Sequence, residues 1–301
     1  VNPVSDGVLH RLLAQEPFVV LDGGLSTALE ALGHRPAGPL WTAQLLIDNP
    51  RRVVDAHRLF VAAGADVVIS SSYQASVEGF VAGGLSVRDA RLALAATTSL
   101  ARDAGADVVA SSVGPFGAVL GDGSEYHGRY VAGWSEVRRF HRRRLEVLVD
   151  TGPDVMAIET IPSVAEAEIV LEVLASLGAP PAWLSMACRD GQHTCAGDDI
   201  VDIAGAVANY PATIAVGVNC VAPEFVDSLL THLGEVCPLP LVAYPNLGQQ
   251  WDAHSERWVG LISAEPTKHD AVLGRASLRG GCCGSGPDQI SMLATQRAAA
   301  R

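Results

Sequence analysis

No apolar run in this sequence approaches the roughly 20 residues needed to cross a bilayer. The run at Phe18–Leu21, among the most apolar, stops at Asp22-Gly23-Gly24. Basic charge is scarce as well. Lys plus Arg number 21 against 33 Asp plus Glu, a formal net charge of -12 and a pI near 5.1, which opposes non-specific nucleic-acid binding. Six cysteines in 301 residues are too few for a disulfide scaffold. No GxGxxG follows an early strand, no low-complexity linker divides the chain, and the first residues lack the basic flank and apolar core of a secretory leader. The expectation is one domain over residues 1–301, cytoplasmic, with reduced thiols and neither membrane nor nucleic-acid partners.

What remains is a chain that is 49% hydrophobic and 18% charged, with 30 Gly and 17 Pro, which excludes a disordered chain, a collagen-like repeat and a long coiled coil. Its short apolar runs recur in a regular order: Phe18–Leu21, Ala65–Ser71, Ala106–Ser112, Asp154–Glu159, Trp183–Cys188, Ile214–Cys220, Leu239–Tyr244 and Ala276–Arg279. Most are apolar throughout, as strands covered on both faces are. ADVVISS and ADVVASS repeat at an offset of 41 residues. Between them lie helical stretches. Asn49-Pro50 opens Arg51–Ala63, Ser86 with Asp89 opens Ala90–Ala104, and Ser163 with Glu166 forms a capping box before Ala167–Ala175. Ser135–Val149, Asp198–Ala208, Pro223–Leu233 and a segment from Pro287 complete the set. Eight strands alternating with helices predict a closed (β/α)8 TIM barrel, with an open doubly wound sheet as the alternative. The long intervals Gly24–Asn49 and Phe116–Gly133 begin beyond strand C-termini, the face where such barrels build their sites.

Cys220 ends the sixth run, and Cys282-Cys283 follow Gly280-Gly281 after the eighth. A barrel brings these three thiols to one rim. Flanking glycines allow the sharp turn that lets adjacent cysteines ligate one ion. Three thiolates with an open fourth position form a catalytic rather than a structural zinc site. Two other readings stand: buried small hydrophobes, or a vicinal disulfide at Cys282-Cys283. Cys188, at the end of the fifth run, is a reserve ligand, and His193 with Cys195 loosely suggests a metal pair in a surface loop. A zinc ion with three thiolates carries net negative charge, so it is a poor hydroxide generator. It suits a soft sulfur substrate, held deprotonated and ready to attack an activated methyl group. Thiol alkylation is favoured over hydrolysis.

These segments together resemble the homocysteine S-methyltransferase family. The resemblance rests on LDGGLSTALE at Leu21–Glu30, SSYQAS at Ser71–Ser76, SVGPFGA and DGSEYHG within Ser111–Gly128, and IETIPS at Ile158–Ser163. It continues through GVNC at Gly217–Cys220, YPNLG at Tyr244–Gly248 and GGCC at Gly280–Cys283. DGSEY with YPNLG places it nearer the branch using S-methylmethionine or S-adenosylmethionine than the betaine branch. The resemblance implies zinc (Zn2+) on Cys220, Cys282 and Cys283, L-homocysteine filling the open position, a small methyl donor, and methionine as product. It implies that Asp22 and Glu159 hold the substrate ammonium, with Gly23, Gly24 and Ser71 near its carboxylate. Tyr73 and Gln74 complete the wall. Asn246 would offer oxygen to the metal when substrate is absent, and Asn219 would orient the metal loop. Glu125 and Tyr126 suit a cationic sulfonium.

Two features depart from the family pattern: a short, irregular stretch between Asn246 and Gly280 (SAEPTKHDAVLGRAS), and Arg279 where an apolar residue is usual. His254, Lys268 and His269 in that stretch read as solvent-facing. Arg279 would face helix and solvent or reach a carboxylate at the rim. The departures keep two alternatives open, a selenocysteine or other thiol methyltransferase and a non-catalytic zinc- or thiol-binding module.

Overall fold

The computed structural model describes residues 7–34, 38, 40–208, 210–248, 250–252, 257–259 and 273–301. Eight parallel strands form one sheet: β1 (Val19–Val20), β2 (Val67–Ile69), β3 (Val108–Val113), β4 (Val155–Ile161), β5 (Ala182–Met186), β6 (Thr213–Asn219), β7 (Leu241–Tyr244) and β8 (Leu278–Arg279). Their order is β1-β8-β7-β6-β5-β4-β3-β2, with Val19 against Leu278 and Leu278 against Val242. A parallel bridge between Leu21 and Val67 joins the two ends. Asp66 secures this seam from both sides. Its backbone N–H donates to Val20 O at 2.8 Å, its carboxylate accepts from Val20 N at 2.8 Å, and Arg297 of the last helix pairs with that carboxylate. The (β/α)8 barrel expected from the apolar runs is the fold.

Alternation along each strand divides the apolar residues between two cores. Val108, Ala110, Val155, Ala157, Ala215, Val242 and Leu278 point into the barrel, while Met156, Ile158, Val216, Val218 and Ala243 pack under the helices. Small residues on three strands leave room inside for the ring of Trp183, which meets Tyr244 edge-on at 6.5 Å. Both rings are buried. Leu9 of the helix Val8–Gln15, absent from the sequence-based expectations, joins the inner cluster.

The outer helices Pro50–Ala62, Val87–Asp103, Trp134–Asp150, Val164–Leu177, Pro223–Val236 and Pro287–Ala300 fall where expected, with ends moved by a few residues. Ser86 caps as expected, accepting from Asp89 N at 3.1 Å and donating to its carboxylate at 2.7 Å. The capping box at Ser163 needs correction. Ser163 Oγ accepts from Glu166 N at 3.3 Å, but the Glu166 carboxylate turns inward to other partners. Asn49 holds the N-cap position without a side-chain cap bond. The segment expected as a helix over Asp198–Ala208 is a 3-10 turn (Ile200–Asp202) leading into Ile203–Ala208.

Arg279 lies on the helix-facing side of β8. Its guanidinium stacks over Phe18 at 4.0 Å and donates to the Ala276 and Gly274 carbonyls at 2.8 and 3.0 Å. An antiparallel pair, Gln250–Asp252 with Arg257–Val259, follows β7. His254, Lys268 and His269 lie outside the described residues.

Gly217 on β6 carries the tightest constraint in the barrel wall. A Cβ there would collide with the backbone carbonyl of Val242 on β7, which cannot rotate aside. We therefore expect Gly217→Ala to destabilise the fold by about 3 kcal/mol, read as a lowered urea midpoint with unchanged slope.

Candidate metal centre and active site

The C-terminal ends of β6 and β8 deliver three sulfurs to one point. Cys220 sits just beyond β6 with φ 50°, in the left-handed region that side-chain-bearing residues rarely adopt. Its N–H is held by Tyr244 O at 3.1 Å. Cys282 and Cys283 lie on the turn after β8, which the first strand supports. Gly24 N donates to Ser285 O at 2.9 Å, and a Cβ on Gly24 would meet Cys282 O at 2.7 Å. A Cβ on Gly23 would meet Ser285 O at 2.6 Å. These two glycines thus let the cysteine turn lie against the end of β1.

The sulfurs all lie within 4.8 Å of one another, with Cys220–Cys283 at 3.8 Å and Cys282–Cys283 at 3.9 Å. A tetrahedral ion with metal–sulfur bonds of about 2.3 Å sets its ligands about 3.8 Å apart. The triangle therefore fits a metal ion. A vicinal disulfide needs sulfurs about 2.05 Å apart; here Cys282 and Cys283 stand 3.9 Å apart and all six cysteines are unbridged. Contact with Cys220 and burial hold the Cys282 thiol well above its ordinary value, so without a cation it stays protonated. Among the described residues this is the one such cluster. Cys188 is buried at the end of β5 outside it, and His193 pairs instead with Asp190 at 3.0 Å.

All three cysteines open onto a cavity of about 330 Å³, within the size range of small-ligand sites. Asp22, Gly23, Gly24, Ser71, Tyr73, Gln74, Glu125, Tyr126, Glu159 and Asn219 share its lining. Both long intervals contribute, the first through Trp41 and Thr42, the second through Leu120 to Tyr126. Asp22 accepts from Ile69 N at 2.9 Å, and Glu159 accepts from the Ser112 hydroxyl. Burial pushes the Asp22 carboxyl well up and Glu159 to about 7. Ser71 Oγ is buried and has no partner. Gln74 donates to Ala118 O at 3.0 Å.

Asn246 stands elsewhere. It is not among the lining residues; its amide donates to Cys220 O at 3.3 Å and its oxygen accepts from Gly248 N at 2.8 Å. The side chain braces the Cys220 turn from behind. Asn219 joins a buried polar chain across four strands: its oxygen accepts from Thr160 N at 2.6 Å and Ser185 Oγ at 2.8 Å, and its amide donates to Thr160 Oγ1 at 2.7 Å. Ser185 Oγ meets Tyr244 OH at 2.7 Å, and Trp183 Nε1 donates to that hydroxyl at 3.0 Å. Thr160 has φ 58°, so this chain holds two positive-φ residues, Thr160 and the neighbouring Cys220, in place.

Two positioning residues escape sequence reasoning. Arg144, fully buried, reaches from its helix to donate to Gly114 O at 2.9 Å and Tyr73 O at 2.6 Å, and also to Ser72 O, tying the β2 and β3 loops together. Glu166 accepts from Phe116 N at 2.6 Å and Tyr130 OH at 2.6 Å, and meets His141 Nε2 at 2.9 Å, fastening both ends of the loop after β3. Serines inside fully buried strands were an available signal for the polar chain; Arg144 was hidden within an arginine-rich helix.

The homocysteine S-methyltransferase family model matches residues 19–297. The chain is 37% identical to the homocysteine S-methyltransferase of Escherichia coli (strain K12), covering 95% of this chain and 97% of that protein. It is 35% identical to homocysteine S-methyltransferase YbgG of Bacillus subtilis (strain 168), covering 98% and 97%. The metallated form of the homocysteine methyltransferase MmuM from Escherichia coli superposes with a TM-score of 0.83 at 36% identity, over 96% of this chain and 99% of that one. A fold, a three-sulfur centre and near full-length similarity converge, and the chain belongs to the homocysteine S-methyltransferase family.

Proposed function

We propose that this protein transfers a methyl group from a sulfonium donor, S-methylmethionine or S-adenosylmethionine, to the thiol of L-homocysteine, with zinc on Cys220, Cys282 and Cys283. The observation that carries this reading is the sulfur triangle at tetrahedral spacing, opening onto a cavity whose ionisable lining is acidic. Bound zinc would supply a fourth position where the homocysteine sulfur is held as thiolate near neutral pH.

The chain's own residues do the rest. Asp22 beyond β1 and Glu159 on β4 receive the homocysteine ammonium through charge-assisted hydrogen bonds. The ammonium offsets the desolvation that burial imposes on both carboxylates and, at Asp22, the repulsion from Glu159. The unpartnered Ser71 hydroxyl offers a donor to the carboxylate end. With the acceptor fixed, attack on the donor methyl forms one C–S bond and breaks another in line. An anionic sulfur and a cationic sulfur become two neutral thioethers, a charge annihilation that a water-poor cavity favours. No general base is required at that step. Asn219, Asn246 and Arg144 act through the loops they hold.

Two measurements check this. The zinc-loaded protein should form methionine from homocysteine with a sulfonium donor, followed by mass spectrometry; homocysteine binding without turnover from any donor would instead support the binding-module reading. Glu159→Gln should raise the homocysteine KM by about ten- to a hundred-fold, as loss of a charge-assisted hydrogen bond does, with zinc content unchanged. In the wild type the same KM should rise as pH falls below about 7, because the Glu159 carboxyl then takes up a proton and loses its attraction for the ammonium.

A further inference from the structure

Among the described residues three carboxylates line the cavity, and the acceptor reading uses only Asp22 and Glu159. The third, Glu125, comes from the loop after β3 and is 8% exposed. Its Oε2 is buried and has no hydrogen-bond partner. No Lys, Arg or His is among the described residues lining the cavity. The buried guanidinium nearest the mouth, Arg144, is committed to the Ser72, Tyr73 and Gly114 carbonyls. Among the described residues lining the cavity, then, none gives the buried Glu125 carboxylate a cationic partner.

The loop is built to keep it there. Ser124–Tyr126 forms a 3-10 turn, with Gly121 and Gly123 at positive φ on its approach and Tyr126 N donating to Gly123 O at 3.0 Å. A Cβ on Gly117 would collide with Glu125 N, so the turn lies directly on the helix Phe116–Leu120. Glu166 fastens the loop at Phe116 and again at Tyr130. A buried carboxylate held this firmly needs either a proton or a cation from the ligand.

We propose that Glu125 is the specificity-determining counter-charge for the methyl donor: it faces the sulfonium and selects the cationic donor over an uncharged molecule of the same shape. Tyr126 and Tyr73, which also line the cavity, supply aromatic surface beside it. This rests on the methyl-transfer reading. The sulfonium loses its charge as its methyl leaves, so Glu125 binds the donor more tightly than the transition state and releases the neutral thioether product. Its contribution accordingly falls on donor KM rather than on kcat.

The test compares ligands that differ at the sulfonium. S-methylmethionine is paired with homoleucine, in which a CH replaces the cationic sulfur, and S-adenosylmethionine with S-adenosylhomocysteine. Binding of each is measured by calorimetry on the zinc-loaded wild type, Glu125→Gln and Glu125→Ala. Both members of a pair carry the same ammonium and carboxylate, so those contacts cancel in the ratio. For the pair containing the active donor, the wild type should favour the cation by about ten-fold or more, and both variants should bring the ratio close to one. Donor KM should rise in parallel with kcat within a few-fold and homocysteine affinity unchanged. A ratio that either folded variant leaves intact, or a wild type that does not prefer the cation in either pair, overturns the proposal. Wild-type preference without turnover would instead count against methyl transfer while leaving the counter-charge standing.

Discussion

Three sulfurs within 4.8 Å of each other inside a barrel mouth form a site that could hold a metal ion, and the structure around them depends on keeping them there. Three half-buried thiolates at this spacing repel one another, and three thiols gain little from contact. Much of the rim serves this requirement. Cys220 is held at φ 50° by the Tyr244 carbonyl and the Asn246 brace, and the turn carrying Cys282 and Cys283 rests on side-chain-free backbone at Gly23 and Gly24. Strained backbone at such a point persists only where its surroundings over-determine it. Here the surroundings are the polar chain from Trp183 through Tyr244, Ser185 and Asn219 to Thr160.

Charge organises the cavity as sulfur organises its floor. Asp22, Glu125 and Glu159 are buried and each carboxyl is pushed upward first by burial. Such a cavity is poor at admitting anions and well suited to ligands bearing ammonium or sulfonium groups. Arg144 lines none of the cavity; its guanidinium donates to backbone carbonyls and its charge partly offsets the upward push of burial on Glu159. The acidic whole-chain balance noted at the outset thus has a local counterpart where it matters, although the whole-chain value alone carries no such information.

The barrel was legible because its strands are buried on both faces, which turns each into a short, nearly continuous apolar run. Strand ends drifted by a few residues, since composition does not mark where the hydrogen-bond ladder stops. The cysteine triad was legible once strand ends were assigned, because parallel strands bring their C-termini to one rim. Roles set by tertiary partners were not. Ser163-x-x-Glu166 reads as a capping box, yet the carboxylate satisfies groups at Phe116, Tyr130 and His141. Nothing in its sequence surroundings marks Arg144 as buried, and the bonds of Asn246 to Cys220 O and Gly248 N are visible only in the fold. Arg279, expected to face helix and solvent or to reach a carboxylate at the rim, takes the first course and stacks on Phe18 outside the barrel.

The central claim is that Cys220, Cys282 and Cys283 hold a zinc ion whose remaining position is filled by the substrate sulfur. Zinc-edge X-ray absorption on the loaded protein measures this directly. The account predicts three sulfur neighbours at about 2.3 Å in the free protein and four once homocysteine is added. A shell dominated by nitrogen or oxygen, or a sulfur count that homocysteine leaves unchanged, would contradict it.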